Sequence, residues 1–203
     1  MKIRLLLFLF VLANSVLFSQ EIQKFDSILK IENLKLHSKE IRVYKDYSTS
    51  TGLELFRFFQ DEHEKWFVEF YETIAQNLGN NEFKIKIRKK NLNSLKNLEV
   101  IWLNLYYSDI MDLPDFEEIT YKLRPKKVEI SIEEGNLVME KTNRSIILDG
   151  ISYYVQINNG EKNKELEYPN PESYLKKYPE VDELISFEEF LNIIKEEFNL
   201  FKK

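Results

Sequence analysis

Apolar and charged residues alternate with a period of two along much of the chain's first half. From Glu40 to Asp46, Ile41 and Val43 alternate with Arg42 and Lys45; from Phe83 to Arg88, Phe83, Ile85 and Ile87 alternate with Lys84, Lys86 and Arg88. Successive side chains of a strand point to opposite faces, so both stretches predict strands with two unlike faces. Leu53 to Phe59 and Trp66 to Tyr71 are aromatic and β-branched runs separated by Asp61-Glu62-His63-Glu64, which predicts a hairpin with a charged turn. Together the four runs predict an antiparallel meander. Trp66, Phe67, Phe70, Tyr71, Ile74 and Leu78 also fit one face of a helix closed by Gly79. The strand reading of Trp66 to Tyr71 is preferred, because the preceding strand and short turn make a hairpin more economical.

A different period marks the helices. Ile22, Phe25, Ile28 and Leu29 predict a short amphipathic helix before the first strand, and Leu95, Leu98, Ile101, Trp102 and Leu105 predict another from Ser94 to about Tyr107. Asp112 to Glu118 is a loop or short helix at Pro114. Five short strands follow: Val128 to Ile132, Leu137 to Glu140, Ser145 to Leu148, Ile151 to Ile157 and Lys164 to Tyr168. Glu134-Gly135, Asp149-Gly150 and Asn159-Gly160 are turn dipeptides whose glycines are expected at positive φ, the last two in two-residue hairpins. Asn170 and Pro171 suit the cap and first position of a helix around Ser173 to Lys177. Ser186 and Glu189 have capping-box spacing, and Phe187, Leu191, Ile194, Phe198 and Phe201 then form an apolar stripe that must be covered. The expected fold is α+β: an antiparallel sheet of hairpin-connected strands, a central helix, and a C-terminal amphipathic helix packed on the sheet. Without repeats or a Pro/Gly/Ser-rich linker, residues 20–203 read as a single domain, with residues 112–127 as the place where two lobes would divide.

The N-terminus carries a separate message. Lys2 and Arg4 precede an unbroken apolar run from Leu5 to Ala13, and Asn14, Ser15 and Ser19 make a polar end. This is the layout of a secretory signal peptide over residues 1–19, cut between Ser19 and Gln20, and it predicts export to the periplasm or beyond. An uncleaved anchor is the alternative, but a spanning helix needs about 20 apolar residues, and Asn14 and Ser15 interrupt this run.

Composition narrows the function classes. The formal net charge of −5 becomes −7 without Lys2 and Arg4, which disfavours nucleic acid as a partner. The basic cluster Lys84, Lys86, Arg88, Lys89 and Lys90 reads as a solvated strand face rather than an anion site. With no cysteine there are no disulfides, thiolate metal sites or thiol catalysis. All five glycines are accounted for by turns or strand ends, and GxGxxG, GxxxxGK and GxSxG are absent, so no nucleotide, metal or other cofactor is expected. His37 and His63 are the only imidazoles; His63 lies in the charged turn and His37 in a surface loop. Asn143-Arg144-Ser145 fits a glycosylation sequon but reads as a plain turn.

Carboxylates remain as a possible source of chemistry. Asp112, Asp115, Glu117 and Glu118 are the best local candidates, because Leu113, Pro114 and Phe116 could anchor the loop that carries them. The competing structural role is that of a loop and helix N-terminus, where acids favour the dipole. Tyrosines are numerous enough for a stacking platform, yet Tyr44, Tyr71, Tyr106, Tyr107, Tyr153, Tyr154 and Tyr168 all fall in expected regular elements and suit core packing.

The succession Trp66-Phe67-x-Glu69-Phe70-Tyr71, Leu113-Pro114-Asp115, Asp149-Gly150-x-x-Tyr153 and Tyr168-x-Asn170-Pro171, followed by a Phe-rich terminal helix, resembles uncharacterised secreted proteins of Bacteroidota. That resemblance implies export and brings no activity or site with it. The function expected from the sequence is that of an exported, non-enzymatic binding module for a glycan, a peptide or an envelope protein, without a membrane span after cleavage. The alternatives are a small carboxylate-dependent hydrolase of envelope or extracellular polymers, and a proteinaceous inhibitor of an exported enzyme.

Overall fold

The alternating runs pair as a meander. In the computed structural model, which describes residues 20–31, 35–47, 50, 52–79, 82–123, 128–133, 136–141 and 150–201, β1 (Lys39–Tyr47), β2 (Leu53–Gln60), β3 (Trp66–Gly79) and β4 (Glu82–Asn91) follow one another antiparallel. With β7 (Ile151–Asn158) and β8 (Asn163–Pro169) they make a six-stranded antiparallel sheet in the order β4-β3-β2-β1-β7-β8. A separate antiparallel pair joins β5 (Val128–Glu133) to β6 (Asn136–Lys141). The helices are α1 (residues 20–29), α2 (Leu98–Tyr106), α3 (Phe116–Ile119), α4 (Pro171–Lys177) and α5 (Asp182–Phe198). The class is α+β, as the patterning predicts. The signal-peptide reading, the strand expected at Ser145 to Leu148, the sequon and the Glu134-Gly135 turn lie outside the described residues.

Two compact units divide the chain: Met1–Leu92 with Tyr154–Glu165, and Asn93–Tyr153 with Leu166–Lys203. In the first, α1 lays Ile22, Phe25 and Leu29 on Tyr44, Leu53, Leu55 and Tyr71, all buried, so the apolar stripe of a ten-residue helix has a destination on one sheet face. Phe25 meets Tyr44 and Tyr154 at ring separations of 5.8 and 5.1 Å. The opposite face of the same strands buries Ile41, Val43, Phe56, Phe58, Val68 and Phe70. The turn after β2 is held by Asp61, whose carboxylate accepts the N–H groups of His63 and Lys65 at 2.9 and 2.8 Å. Trp66 to Tyr71 is strand, not helix, and the strand runs on to Gly79 because β4 offers it a partner all the way.

In the second unit α5 packs Phe187 flat on Tyr168 of β8, with rings 4.2 Å apart and 6° from parallel, and edge-on to Tyr153 of β7. Leu184, Phe190, Leu191, Ile194 and Phe198 are buried with it. The helix begins a turn before the expected Ser186 capping box, with Val181 as N-cap, because Leu184 extends the buried stripe upstream. Similarly α2 starts at Leu98 rather than Ser94: the Asn97 side chain accepts the Glu99 N–H at 2.8 Å, leaving Leu95 fully exposed and outside the helix.

Two expected turns take other forms. Gly160 is at φ +92° as expected, but its loop is longer than a two-residue hairpin: residues 159–162 separate β7 from β8, with Asn159 Oδ1 accepting the N–H groups of Glu161 and Lys162. Gly150 is not at positive φ. It is required by close approach, since a Cβ there would sit 1.1 Å from Asn170 Oδ1. Asn170 occupies the N-cap position of α4 in a left-handed conformation, yet its side chain caps nothing. Instead Oδ1 accepts the Ile151 N–H at 2.9 Å while its own N–H donates to the Ile151 carbonyl at 2.7 Å, stitching the helix start to β7.

Candidate functional site

Three regions carry unusual chemistry, and the four acids singled out in the sequence come first. Asp112 closes a turn in which its N–H donates to the Asp109 carbonyl; Asp115 precedes α3, and Glu117 and Glu118 lie in its first turn. All four are exposed. Their neighbours anchor the segment: Leu113 and Ile119 are buried, Tyr168 donates its hydroxyl to the Pro114 carbonyl at 2.9 Å, and Phe116 packs on the rings of Tyr168 and Tyr174. Burial, then the charges of Glu183, Asp115 and Glu118, pushes the Tyr168 phenol above its ordinary range, so it stays a hydrogen-bond donor. The segment is thus tied down through its apolar residues while its acids face solvent, and no group of three or more metal-ligating side chains forms among the described residues.

The second region is a charged ladder under α1 that the sequence does not announce. Glu40, Arg42 and Tyr44 share one face of β1, and the register sets Arg42 opposite Arg57 of β2 and Arg57 opposite Glu69 of β3. Glu40 Oε1 accepts from Arg42 Nε and Arg57 Nε, both at 2.6 Å, while Oε2 accepts the His37 backbone N–H at 2.7 Å. Arg42 continues to Asp26 of α1 at 3.6 Å, and Tyr44 donates to Asp26 at 2.7 Å. On the other side Glu69 takes Arg57 at 3.5 Å, Lys89 at 2.7 Å and the Tyr71 hydroxyl at 2.7 Å. Glu40 and Arg42 are fully buried. Burial by itself would raise the Glu40 carboxyl, but the Arg57 hydrogen bond and the two guanidinium charges outweigh it and hold Glu40 below its ordinary range. For Asp26 burial wins over the Tyr44 hydrogen bond and Arg42, and its carboxyl is raised. The ladder is saturated with internal partners, which suits fixing strand register and helix position. His37 belongs to its rim, its ring stacked on Phe59 at 4.6 Å and its carbonyl accepting from Asn158, so this loop histidine is tied down and half-buried.

The third region is the outer part of the β3–β4 hairpin. β2 accompanies β3 in register only as far as Glu72, and Leu53 and Thr73 extend the contact through side-chain bonds, the Leu53 N–H donating to Thr73 Oγ1 at 2.8 Å and that hydroxyl donating to the Leu53 carbonyl at 3.3 Å. From Ile74 to Gly79, six residues and roughly 20 Å at the strand rise, β3 is paired with β4 alone. The register puts Ala75 opposite Ile85 and Asn77 opposite Phe83 on one face, and Ile74 opposite Lys86 and Gln76 opposite Lys84 on the other. Among the described residues nothing covers either face. Phe83 is 65% exposed, Leu78 55%, Ile85 46% and Ile74 37%, and Lys84 and Lys86 are exposed between them. Nearer the base the charges are internally matched: Arg88 and Lys90 reach Glu72 at 2.7 and 3.0 Å, and Lys89 reaches Glu69. All five cations are exposed, as the solvated reading expects, but they do not share one face or one state of pairing. Three of them sit in ion pairs, Lys89 on the opposite face from the rest, and Lys84 and Lys86 have no ion pair among the described residues.

Sequence reasoning reached the pieces of this arm but not their joint exposure. What could have shown it is the length of β3: a strand running well past the end of its β2 partner must be bare, on that side, over the excess. No helix among the described residues is long and apolar enough to cross a membrane. No protein-family model, no curated protein and no solved structure matches this chain.

Proposed function

We propose that this is an exported, non-enzymatic binding module and that the β3–β4 arm is its binding element. The observation that carries this reading is the exposure of Phe83, Leu78, Ile85 and Ile74 on a two-stranded arm bare on both faces. An isolated two-stranded ribbon gains little from its own packing, and bare aromatic and aliphatic side chains cost solubility, so such a surface is supported best by a partner that covers it. Export is supported by residues 1–19 alone, through the basic head and apolar run of a signal peptide.

The test uses the secreted protein and a Phe83→Asp/Ile85→Asp variant on glycan and peptide arrays. The reading expects ligands that the parent retains and the variant loses, with circular dichroism unchanged. Ligands retained equally by both would move the binding face elsewhere, and release of fragments from an immobilised polymer would make the protein a hydrolase. Mass spectrometry of the native N-terminus tests export, with Gln20 expected first and a chain still carrying Leu5 to Ala13 contradicting it. A second reading, an inhibitor that inserts the arm into the groove of an exported enzyme, is favoured by the arm's length and double exposure, and the same variant would abolish inhibition.

A further inference from the structure

We propose that the outer edge of β4 receives an extended peptide strand whose side chains alternate between acidic and apolar, adding a seventh strand to the sheet. The proposal rests on the arm being the binding element and names the class of its partner.

The edge is open and regular. Among the described residues β4 terminates the strand order, so one side of its backbone presents N–H and C=O groups with no strand partner there, and its ladder to β3 is unbroken from Asn91 to Phe83. An added strand places its side chains on the same two faces as β4, with a period of two. On one face it would meet Phe83 and Ile85, which are exposed and want apolar neighbours, while Ile87 is already packed against the core under α1; on the other it would meet Lys84, Lys86 and Arg88, which want acids. Arg88 already holds Glu72, whereas the acid that would match Lys84 and Lys86 is not found among the described residues of the chain. This local basic edge stands against an acidic protein of net charge −5, so it is not a by-product of overall composition.

Lysines on an edge strand also serve to repel other strands. Repulsion alone does not explain Phe83 and Ile85 left bare on the adjoining face, an arrangement that attracts one class of strand while excluding others. Pairing of β4 with β4 of a second copy would set Lys84, Lys86 and Arg88 against like charges, which disfavours self-association.

The experiment is fluorescence anisotropy with a labelled eight-residue peptide of alternating glutamate and valine, titrated with the full secreted protein at two salt concentrations. Binding is expected, weaker at higher salt, at least tenfold weaker for Lys84→Glu/Lys86→Glu, and transferred in that variant to a peptide of alternating lysine and valine. Amide exchange in residues 83–88 should slow on binding, the sign of added backbone hydrogen bonds. Equal binding of a peptide with four glutamates followed by four valines would overturn the strand-addition geometry. Binding to anionic vesicles but not to the peptide would make the partner a membrane, and concentration-dependent dimerisation lost in Phe83→Ser would make it a second copy; either result overturns the proposal while leaving the arm as the binding element. If the arrays described above show ligands that Phe83→Asp/Ile85→Asp retains, the reading of the arm falls with it.

Discussion

β1 and β4 carry the same binary pattern and meet opposite fates. Lys39–Tyr47 and Glu82–Asn91 both alternate charge with apolar side chains, yet in β1 the charges Glu40 and Arg42 are buried, while in β4 the apolar residues Phe83 and Ile85 are exposed. β1 has strands on both sides and α1 across one face, so its charged face has become an interior and every charge there has had to find a partner. Among the described residues β4 has one neighbour and no cover along its outer half. Alternation states that a strand has two unlike faces; whether either face is wet depends on what lies above it, and that is decided by residues far away in the sequence.

The contrast can be broken most forcefully at Glu40. Replacing it with Leu leaves Arg42 and Arg57 buried against each other, and removing one member of a buried charge cluster costs on the order of 3 to 5 kcal/mol. The denaturation midpoint in urea should fall steeply; an unchanged midpoint would mean that the ladder is open to water.

Acid should reproduce part of that loss. Because the folded Glu40 carboxyl lies below its ordinary value near 4.5, its stabilisation is fully present above that value and is lost as pH falls through the lowered folded one. Asp26, raised in the fold, acts with the opposite sign: its contribution is present below 3.8 and lost as pH rises through the raised value. The stability gap between parent and Glu40→Gln should therefore narrow as pH is taken from 7 to below 4.5, measured by urea midpoints at each pH. A constant gap would contradict the lowered Glu40.

A smaller effect is expected at Gly150, where contact rather than backbone angle sets the requirement. Gly150→Ala should cost about 1 to 3 kcal/mol by overpacking against Asn170. Adding Asn170→Ala should cost less than the sum of the two single changes, since the clash is with that side chain. Strict additivity would return the requirement to φ.

These cases mark what the sequence made legible. Period-two and helical patterning located α1, β1 to β4 and the buried stripe of α5, because each rests on side chains within one element. What it left hidden depends on distant pairs: Gly150 needs glycine because of Asn170, α5 begins early because Leu184 finds cover, and the ladder exists because strand register brings Arg57 beside Glu40. The candidate site follows the same rule. Phe83, Ile85, Lys84 and Lys86 were visible as a strand pattern, but their exposure on both faces of an arm follows from where β2 stops.

The least effect on the fold is expected where the proposed function is concentrated, and that absence of effect is the most direct measurement. Phe83→Ser/Ile85→Ser removes two large apolar side chains from the arm; exposed positions away from packing usually shift stability by no more than about 0.5 kcal/mol. The account predicts a urea midpoint within that range of the parent, together with loss of the ligands that the parent retains. A fall of about 2 kcal/mol or more would show that these side chains are packed within the protein, and would contradict the claim that the arm is bare and kept for a partner.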